Sequence, residues 1–213
     1  MTKYKAVIFD CDGVLVDSEL IGNRVLVDLA NQYGANIDLN YALKYFKGNS
    51  MNVCYQKISE LATEKLPHDF VETYRSRSFK AFRSEIRPVN GVEDVVKNLK
   101  LPFCVASSGP ENKIKLNLEL TGLDNYFENK IFSCYAIGKW KPEPDVFLWA
   151  AEVLGFSPRD CLVIEDSQLG VQAALNGGFD VFAYTEHDYN DDLSSLATKT
   201  FNTMDVLLEM IHN

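Results

Sequence analysis

The sequence lacks the features typical of membrane, exported and nucleic-acid-binding proteins. No apolar run approaches the length of a transmembrane helix. The apolar run that follows Lys3 and Lys5 is short and ends in acids, so no signal peptide is expected. Positive charge is also scarce, because 21 Lys and Arg face 30 Asp and Glu and leave a net charge of −9. Nucleic acid and anionic membrane are therefore not expected as partners.

Paired cysteines are missing as well. The five cysteines are scattered, odd in number and without a CxxC pair. This usage predicts reduced, mostly buried thiols and a cytoplasmic protein. The chain also has no internal repeat and no low-complexity segment. With 46% hydrophobic residues, its 213 residues suffice for one medium domain, or for a core that carries a smaller insert.

A short apolar stretch near the start organises the rest. Ala6-Val7-Ile8-Phe9 reads as a strand buried on both faces, and it runs directly into Asp10, Asp12 and Gly13. Two carboxylates this close repel each other unless a cation or a proton lies between them. In open α/β sheets, ligands bind at the carboxyl ends of the strands, so these acids mark a candidate site.

Strands and helices then alternate in a pattern that predicts a parallel sheet. Apolar strands are expected at 103–106, 130–133, 161–164 and 181–184, each followed by a helical pattern or a loop. Residues 18–84 look wholly helical, and Ser18 is expected to cap the first helix. We therefore predict a Rossmann-like core (1–16 and 85–213) with an inserted helical domain (17–84). Residues 187–195 are predicted to form a solvated loop before a last helix from Met204.

Polar groups follow several of these strands or loops. They are Asp10 and Asp12, Ser107, Lys141, and Glu165 with Asp166. Parallel strands end at one edge, so these side chains are expected to converge. Carboxylate oxygens suit a hard cation such as Mg²⁺, and the ammonium and hydroxyl would hold an anionic group. Ser107 could instead cap the next helix, and Lys139 competes with Lys141.

These residues carry a family resemblance. Asp10-Cys11-Asp12-Gly13-Val14, Ser107, Lys141-Pro142-Glu143-Pro144-Asp145 and Glu165-Asp166-Ser167 resemble, in order, the four motifs of the haloacid dehalogenase-like superfamily, in its branch with a helical cap. The resemblance implies that Asp10 is the nucleophile that forms an aspartyl-phosphate, and that Asp12 is the general acid and base. Mg²⁺ would be held by Asp10, the carbonyl of Asp12, Glu165 and Asp166, while Ser107 and Lys141 bind the phosphoryl oxygens.

The resemblance also implies where a substrate is selected. Lys47 and Gly48 form a basic break between predicted helices, and Arg77 lies on the following helix. Together with Ser108 and Asn112 they are the predicted substrate-binding residues. A solvated helix face would explain Arg75 and Arg77 at least as well. The expected partner is a small phosphorylated metabolite, and the expected state is a monomer or weak homodimer.

Three functions remain open at this point. Local strings resemble bacterial 6-phosphogluconate phosphatases, which favours Mg²⁺-dependent hydrolysis of a sugar phosphate, with 6-phosphogluconate as the candidate. A β-phosphoglucomutase-type reaction is the alternative, but Gly22 and Met51 stand where that family has a histidine and an arginine. The non-enzyme alternative is a catalytically idle binding or regulatory protein that kept the fold.

Overall fold

A parallel sheet forms the centre of the protein. The computed structural model describes residues 3–186, 188 and 193–212. Within these residues the sheet has six strands in the order β3-β2-β1-β4-β5-β6, and every neighbouring pair is parallel. The strands are β1 (Ala6–Phe9), β2 (Phe103–Ser107), β3 (Ile131–Ser133), β4 (Cys161–Glu165), β5 (Asp180–Tyr184) and β6 (Lys199–Phe201). The predicted α/β fold class is confirmed.

Both faces of the sheet are buried, which explains the unbroken apolar runs. Along β1, Val7 and Phe9 point into one hydrophobic cluster, and Ala6 and Ile8 point into another on the opposite face. This alternation is the period of two that a strand imposes on its side chains. The strand order reverses between β1 and β4, so a crevice opens beyond their carboxyl ends, as expected at a topological switch point.

Helices cover the sheet and form the insert. They are α1 (Glu19–Asn31), α2 (Leu39–Tyr45), α3 (Met51–Leu61), α4 (Phe70–Glu85), α5 (Val92–Asn98), α6 (Glu111–Leu120), α7 (Cys134–Ile137), α8 (Asp145–Leu154), α9 (Gln168–Asn176) and α10 (Leu207–His212). The first four belong to the insert and bury a hydrophobic cluster of their own that runs from Leu26 to Phe70. Residues near the two ends of the insert do not join this cluster. Ile21 and Phe82 pack instead into the hydrophobic cluster of the core that contains Val7 and Phe9.

The two chain segments that lead into and out of the insert lie side by side. Val16 bridges Pro88 in antiparallel fashion, the N–H of Asp17 donates to the carbonyl of Arg87 at 2.9 Å, and the N–H of Val89 donates to Leu15 at 3.1 Å. The insert therefore leaves and rejoins the core at one point. The domain limits near residues 16 and 85 stay a prediction.

The structure adds elements that the sequence pattern did not predict. The strand β6 and the four-residue helix α7 have no counterpart among the predicted elements. Of the loop predicted at 187–195, residues 187 and 189–192 lie outside the described residues, while Leu193 is buried. The last helix is preceded by a 3₁₀ turn at Met204–Val206. The five cysteines are free and buried, as predicted. No helix in the described ranges is long and apolar enough to cross a membrane.

Candidate active site

Asp10 extends β1 by one residue at the carboxyl edge of the sheet. Its N–H donates to the carbonyl of Ile164 at 2.9 Å, so the ladder to β4 fixes its backbone. Its side chain is buried, with 6% of the residue exposed. A carboxylate held this rigidly at the crevice can be presented to a ligand in a single orientation.

Gly13 allows the chain to turn away immediately after the two acids. Its φ of +79° is in the left-handed region, and a Cβ at this position would lie only 2.1 Å from Oδ2 of Asp166. Both the backbone conformation and the lack of space therefore require glycine. This turn allows the end of β1 to pack against the acid that follows β4.

Lys141 joins the ends of two neighbouring strands. Its ammonium donates to Oδ1 of Asp10 at 2.6 Å and to Oε1 of Glu165 at 2.6 Å, and it lies 3.3 Å from the carbonyl of Ala106. The residue is 5% exposed, whereas its rival Lys139 is exposed and pairs with Asp145. Although burial disfavours the charge, the two carboxylates raise the pKa of Lys141, so it stays protonated.

Glu165 is held by the start of the next helix as well as by Lys141. Its Oε2 accepts from the N–H of Asp166 at 2.8 Å, and from the N–H and the hydroxyl of Ser167 at 2.9 Å each. Ser167 in turn caps α9 by accepting from the N–H of Gly170 at 3.1 Å. Both carboxylate oxygens of Glu165 are thus fixed, one by Lys141 and the other by the residues that precede α9.

Three buried carboxylates could hold a metal ion together. One oxygen from each of Asp10, Glu165 and Asp166 lies within 4.8 Å of the others. Burial raises the pKa of Asp10 well above its usual value, with Lys141 opposing and the neighbouring acids adding to the rise. Burial also raises the pKa of Asp166. An all-oxygen set whose three negative charges face the ammonium groups of Lys141 and Lys47 fits a hard divalent cation such as Mg²⁺.

Asp12 occupies a different environment from Asp10. Its carboxylate accepts from the ammonium of Lys113 at 2.7 Å and from the hydroxyl of Ser18. Burial alone would raise the pKa of Asp12, but Lys113 and Ser18 outweigh it, and the net pKa is lowered. Ser18 therefore does not cap α1, because its hydroxyl is used by Asp12 instead. Although Asp10 and Asp12 are only two residues apart, the pKa of Asp10 is raised and the pKa of Asp12 is lowered.

Lys113 is a site residue that sequence reasoning missed. The predicted residue was its neighbour Asn112, which is exposed, whereas Lys113 lines the crevice from the first turn of α6. One position along a helix rotates a side chain by about 100°, so a neighbour faces elsewhere. The sequence did contain a signal for Lys113. It lies in the first turn of the helix that directly follows Ser107-Ser108-Gly109-Pro110, close to the predicted strand end.

The loop after β2 contributes hydroxyl and N–H groups. The hydroxyl of Ser107 accepts from the N–H of Gly109 at 3.0 Å, and the hydroxyl of Ser133 donates to the carbonyl of Gly109 at 2.7 Å. Ser107 and Ser108 both line the crevice. Ser107 does not cap α6, which begins after Pro110 without a side-chain cap. The loop is thus fixed beside Asp10 and Lys141.

A cavity of about 960 Å³, its open mouth included, lies between this edge and the insert. Asp10, Asp12, Ser107, Ser108, Lys141, Glu165 and Asp166 line its floor, and its insert side includes Glu19, Gly22, Asn23, Gly48, Met51, Tyr74 and Arg75. Glu19 is an unusual lining group, since burial and then Asp166 and Asp12 raise its pKa to about 7.

The loop between α2 and α3 contacts the acid edge directly. The ammonium of Lys47 lies 2.7 Å from Oδ2 of Asp166, and Gly48 lines the cavity. Gly48 has a φ of +74°, and a Cβ there would lie 3.0 Å from Ser167. The predicted basic, glycine-containing break therefore joins the insert to the core, with Lys47 paired to an acid.

Arg77 and Asn112 do not lie at the cavity. Arg77 is exposed and donates to Oε1 of Gln32 at 3.3 Å, on the outer side of the insert. The side chain of Arg75, two positions earlier on α4, lines the cavity instead. Two positions on a helix correspond to about 200° of rotation, so the two arginines cannot share a face. Arg77 and Asn112, which were predicted to bind substrate, therefore lie away from this cavity, and Arg75 and Lys113 line it instead.

The fold assigns the chain to a structural class, and a comparison with known protein families assigns it to a family. The class is a parallel α/β protein with a helical insert after its first strand. Residues 4–178 match the model of the haloacid dehalogenase-like hydrolase family. The chain belongs to this family.

Known proteins of similar sequence and structure support this assignment. The chain is 31% identical over 215 residues to a 6-phosphogluconate phosphatase of Escherichia coli, covering 99% of this chain and 96% of that protein. It is 29% identical over 181 residues to a fructose-1-phosphate phosphatase of the same organism, covering 84% and 95%. A haloacid dehalogenase-like protein of Agrobacterium tumefaciens has a similar structure, with a TM-score of 0.85 and 28% identity over 98% and 97% of the two chains.

Proposed function

We propose that this protein is a Mg²⁺-dependent phosphatase that hydrolyses a small phosphorylated metabolite, specifically a sugar phosphate such as 6-phosphogluconate. The observation that carries the proposal is the pairing of Asp10 with Lys141 at the floor of a cavity that also contains Asp12, Glu165 and Asp166. The similar phosphatases that act on phosphorylated sugars or sugar acids support the substrate class.

Asp10 acts as the nucleophile in the first step. One of its oxygens attacks phosphorus, the bond between phosphorus and the ester oxygen breaks, and the phosphoryl group is carried on Asp10. Lys141 orients the Asp10 carboxylate and neutralises part of the charge that meets the phosphoryl oxygens. Ser107 and the N–H groups of its loop hold those oxygens.

Asp12 moves the protons of both steps. It gives a proton to the leaving alcohol oxygen, and then accepts one from the water that attacks the phosphoryl group and regenerates Asp10. The lowered pKa of Asp12 suits the second step, because an ionised carboxylate is the base. For the first step Asp12 must carry a proton, which the negative charge of a bound phosphate ester favours.

The carboxylates of Asp10, Glu165 and Asp166 are the proposed ligands of Mg²⁺, with the carbonyl of Asp12 as a further one. When bound, the ion would supply positive charge against the phosphoryl oxygens and offset the repulsion among the acids. The chain's own contribution is to hold the three carboxylates within reach of one another.

The insert at 17–84 is the proposed cap that selects the substrate. Gly22 and Met51 both line the cavity, and a Cβ on Gly22 would already lie 3.3 Å from the hydroxyl of Tyr74. Neither position carries the basic side chain that the mutase family has there, which supports hydrolysis over the mutase reaction. We further propose a monomer or weak homodimer that acts in the cytoplasm, where its free thiols stay reduced.

The proposal is tested with purified protein, Mg²⁺ or EDTA, and a panel of phosphate esters that includes 6-phosphogluconate, fructose 1-phosphate and β-glucose 1-phosphate. We expect stoichiometric inorganic phosphate and dephosphorylated product in Mg²⁺, and none in EDTA. An isomerised sugar phosphate without free phosphate would support the mutase reaction instead. No turnover of any ester would support the idle binding protein.

A further inference from the structure

The cavity has three basic side chains in the part of the chain that the structure describes, and two of them are already neutralised. Lys141 is paired with Asp10 and Glu165, and Lys113 is paired with Asp12, each at 2.6–2.7 Å. Arg75 has no carboxylate partner among the described residues. Within the described ranges it is therefore the one cation of the cavity that forms no ion pair with an acid.

Arg75 is held between the insert and the core. Its Nη2 donates to the hydroxyl of Tyr135 at 3.1 Å, and its guanidinium lies 5.3 Å from the centre of that ring. Tyr135 packs edge-on against Trp140, the residue before Lys141, with ring centres 5.2 Å apart. These contacts orient the guanidinium, but a hydroxyl uses only one of its five donors.

The lining on the insert side also offers partners for hydroxyl groups. Oε2 of Glu19 accepts from the amide of Asn23 at 3.0 Å, and both side chains line the cavity. The cavity thus contains a phosphate-binding floor, an acid and amide that can bind hydroxyls, and an unneutralised guanidinium. This combination of groups matches a polyhydroxylated substrate that carries a second negative charge besides its phosphate.

We propose that Arg75 binds a carboxylate at the end of the substrate opposite the phosphate, so that the enzyme prefers phosphorylated sugar acids to neutral sugar phosphates. This inference rests on the proposed phosphatase activity and adds the substrate class. A guanidinium presents two parallel N–H donors that match a carboxylate, and such charge-assisted hydrogen bonds are stronger than neutral ones.

The test compares two substrates that differ only at the end in question. In 6-phosphogluconate the terminal carbon is a carboxylate, and in glucitol 6-phosphate it is a hydroxymethyl group. We expect wild type to prefer the acid. Arg75→Gln should lower kcat/KM for the acid by about ten- to a hundredfold, the value of one hydrogen bond to a charged group, and leave the alditol nearly unchanged. Arg75→Lys should retain part of the preference.

Arg77→Gln is the matched control, because Arg77 lies on the same helix, is exposed and does not line the cavity. It should keep the wild-type preference. A second pair of substrates, fructose 1,6-bisphosphate and fructose 1-phosphate, tests whether Arg75 binds a phosphate instead. If the ratio of kcat/KM for this pair exceeds the ratio for the acid and the alditol, Arg75 is assigned to a phosphate and the proposal is overturned.

Two further outcomes would overturn it. One is equal hydrolysis of the acid and the alditol by wild type. The other is an equal loss for both substrates in Arg75→Gln, as expected if Arg75 only ties the insert to Tyr135. Hydrolysis of neither substrate by wild type contradicts the phosphatase proposal itself, so the two failures are distinguishable.

Discussion

The ammonium of Lys141 lies 2.6 Å from Oδ1 of Asp10, although 131 positions separate the two residues in the sequence. Both are buried, and Lys141 also contacts Glu165 at 2.6 Å. Buried charges are tolerated only when they are paired, so removal of either partner leaves an uncompensated charge in the interior.

Replacing Lys141 should therefore destabilise the protein strongly. Lys141→Gln leaves the carboxylates of Asp10 and Glu165 buried without their ammonium, and we expect a loss of about 3–5 kcal/mol in the free energy of unfolding. Urea denaturation at neutral pH in EDTA measures it. Lys139→Gln is the control, since its pair with Asp145 is exposed and screened by solvent, so its effect should be far smaller. Equal stability of the two variants would contradict this account.

A second prediction concerns the packing of α9 against Glu165. A Cβ on Gly170 would lie 1.8 Å from Oε1 of Glu165, the oxygen that binds Lys141. Gly170→Ala should lower stability by about 1–3 kcal/mol and reduce kcat, because Glu165 must turn away. Helix propensity alone predicts the opposite sign, a gain of about 1 kcal/mol.

The control for this substitution is Gln172→Ala on the same helix, where the side chain bonds only to Asn176. Its effect should stay within about 0.5 kcal/mol. A stabilised and fully active Gly170→Ala variant would show that Glu165 is not confined as described.

The pair between Lys113 and Asp12 predicts a definite pH dependence of stability. The pKa of Asp12 is lowered, so its contribution is present above its ordinary pKa of 3.8 and is lost as pH falls through the folded value. The pKa of Lys113 is raised, so its contribution is present below 10.5 and is lost as pH rises through the folded value.

Lys113→Met should therefore destabilise the protein most on the plateau between pH 3.8 and pH 10.5. Denaturation of wild type and variant at pH 7 and at pH 3 measures the difference, which should shrink at pH 3. Lys115→Met removes an exposed pair with Glu111 and serves as the control. A penalty that is the same at both pH values would count against an ionic role for Lys113.

Much of the floor of the site could be predicted, because strand ends leave little freedom. A residue that directly follows a buried strand must emerge at the sheet edge, which is why Asp10, Glu165 and Asp166 lie where expected. The alternation of strands and helices predicts a parallel sheet, and residues at the carboxyl ends of its neighbouring strands then lie close together.

The sequence did not predict which individual helix residues line the cavity. On a helix, the choice between Arg75 and Arg77, or between Lys113 and Asn112, depends on rotation about the axis, and that rotation is set by packing against other elements. The strand β6 was missed for a related reason, since three residues at a sheet edge carry too little pattern to be recognised.

The proposed nucleophile predicts a large and specific loss of turnover. Asp10→Asn preserves the shape of the side chain but cannot attack phosphorus, so phosphate release should fall by more than about 10³-fold. Asp160→Asn is the control, because Asp160 is partly exposed, pairs with Lys5 and lies outside the cavity. Thermal unfolding of both variants checks that the loss is not one of folding. Activity within a few-fold of wild type in Asp10→Asn would remove Asp10 from the chemistry.

The most direct measurement looks for the phosphoryl group itself. Protein incubated with Mg²⁺ and 6-phosphogluconate is quenched in acid, digested and analysed by mass spectrometry. Wild type is predicted to carry one phosphoryl group on the peptide that contains Asp10, more of it in Asp12→Asn, and none in Asp10→Asn. Steady release of phosphate by wild type with no modified peptide in any of the three proteins would contradict the account.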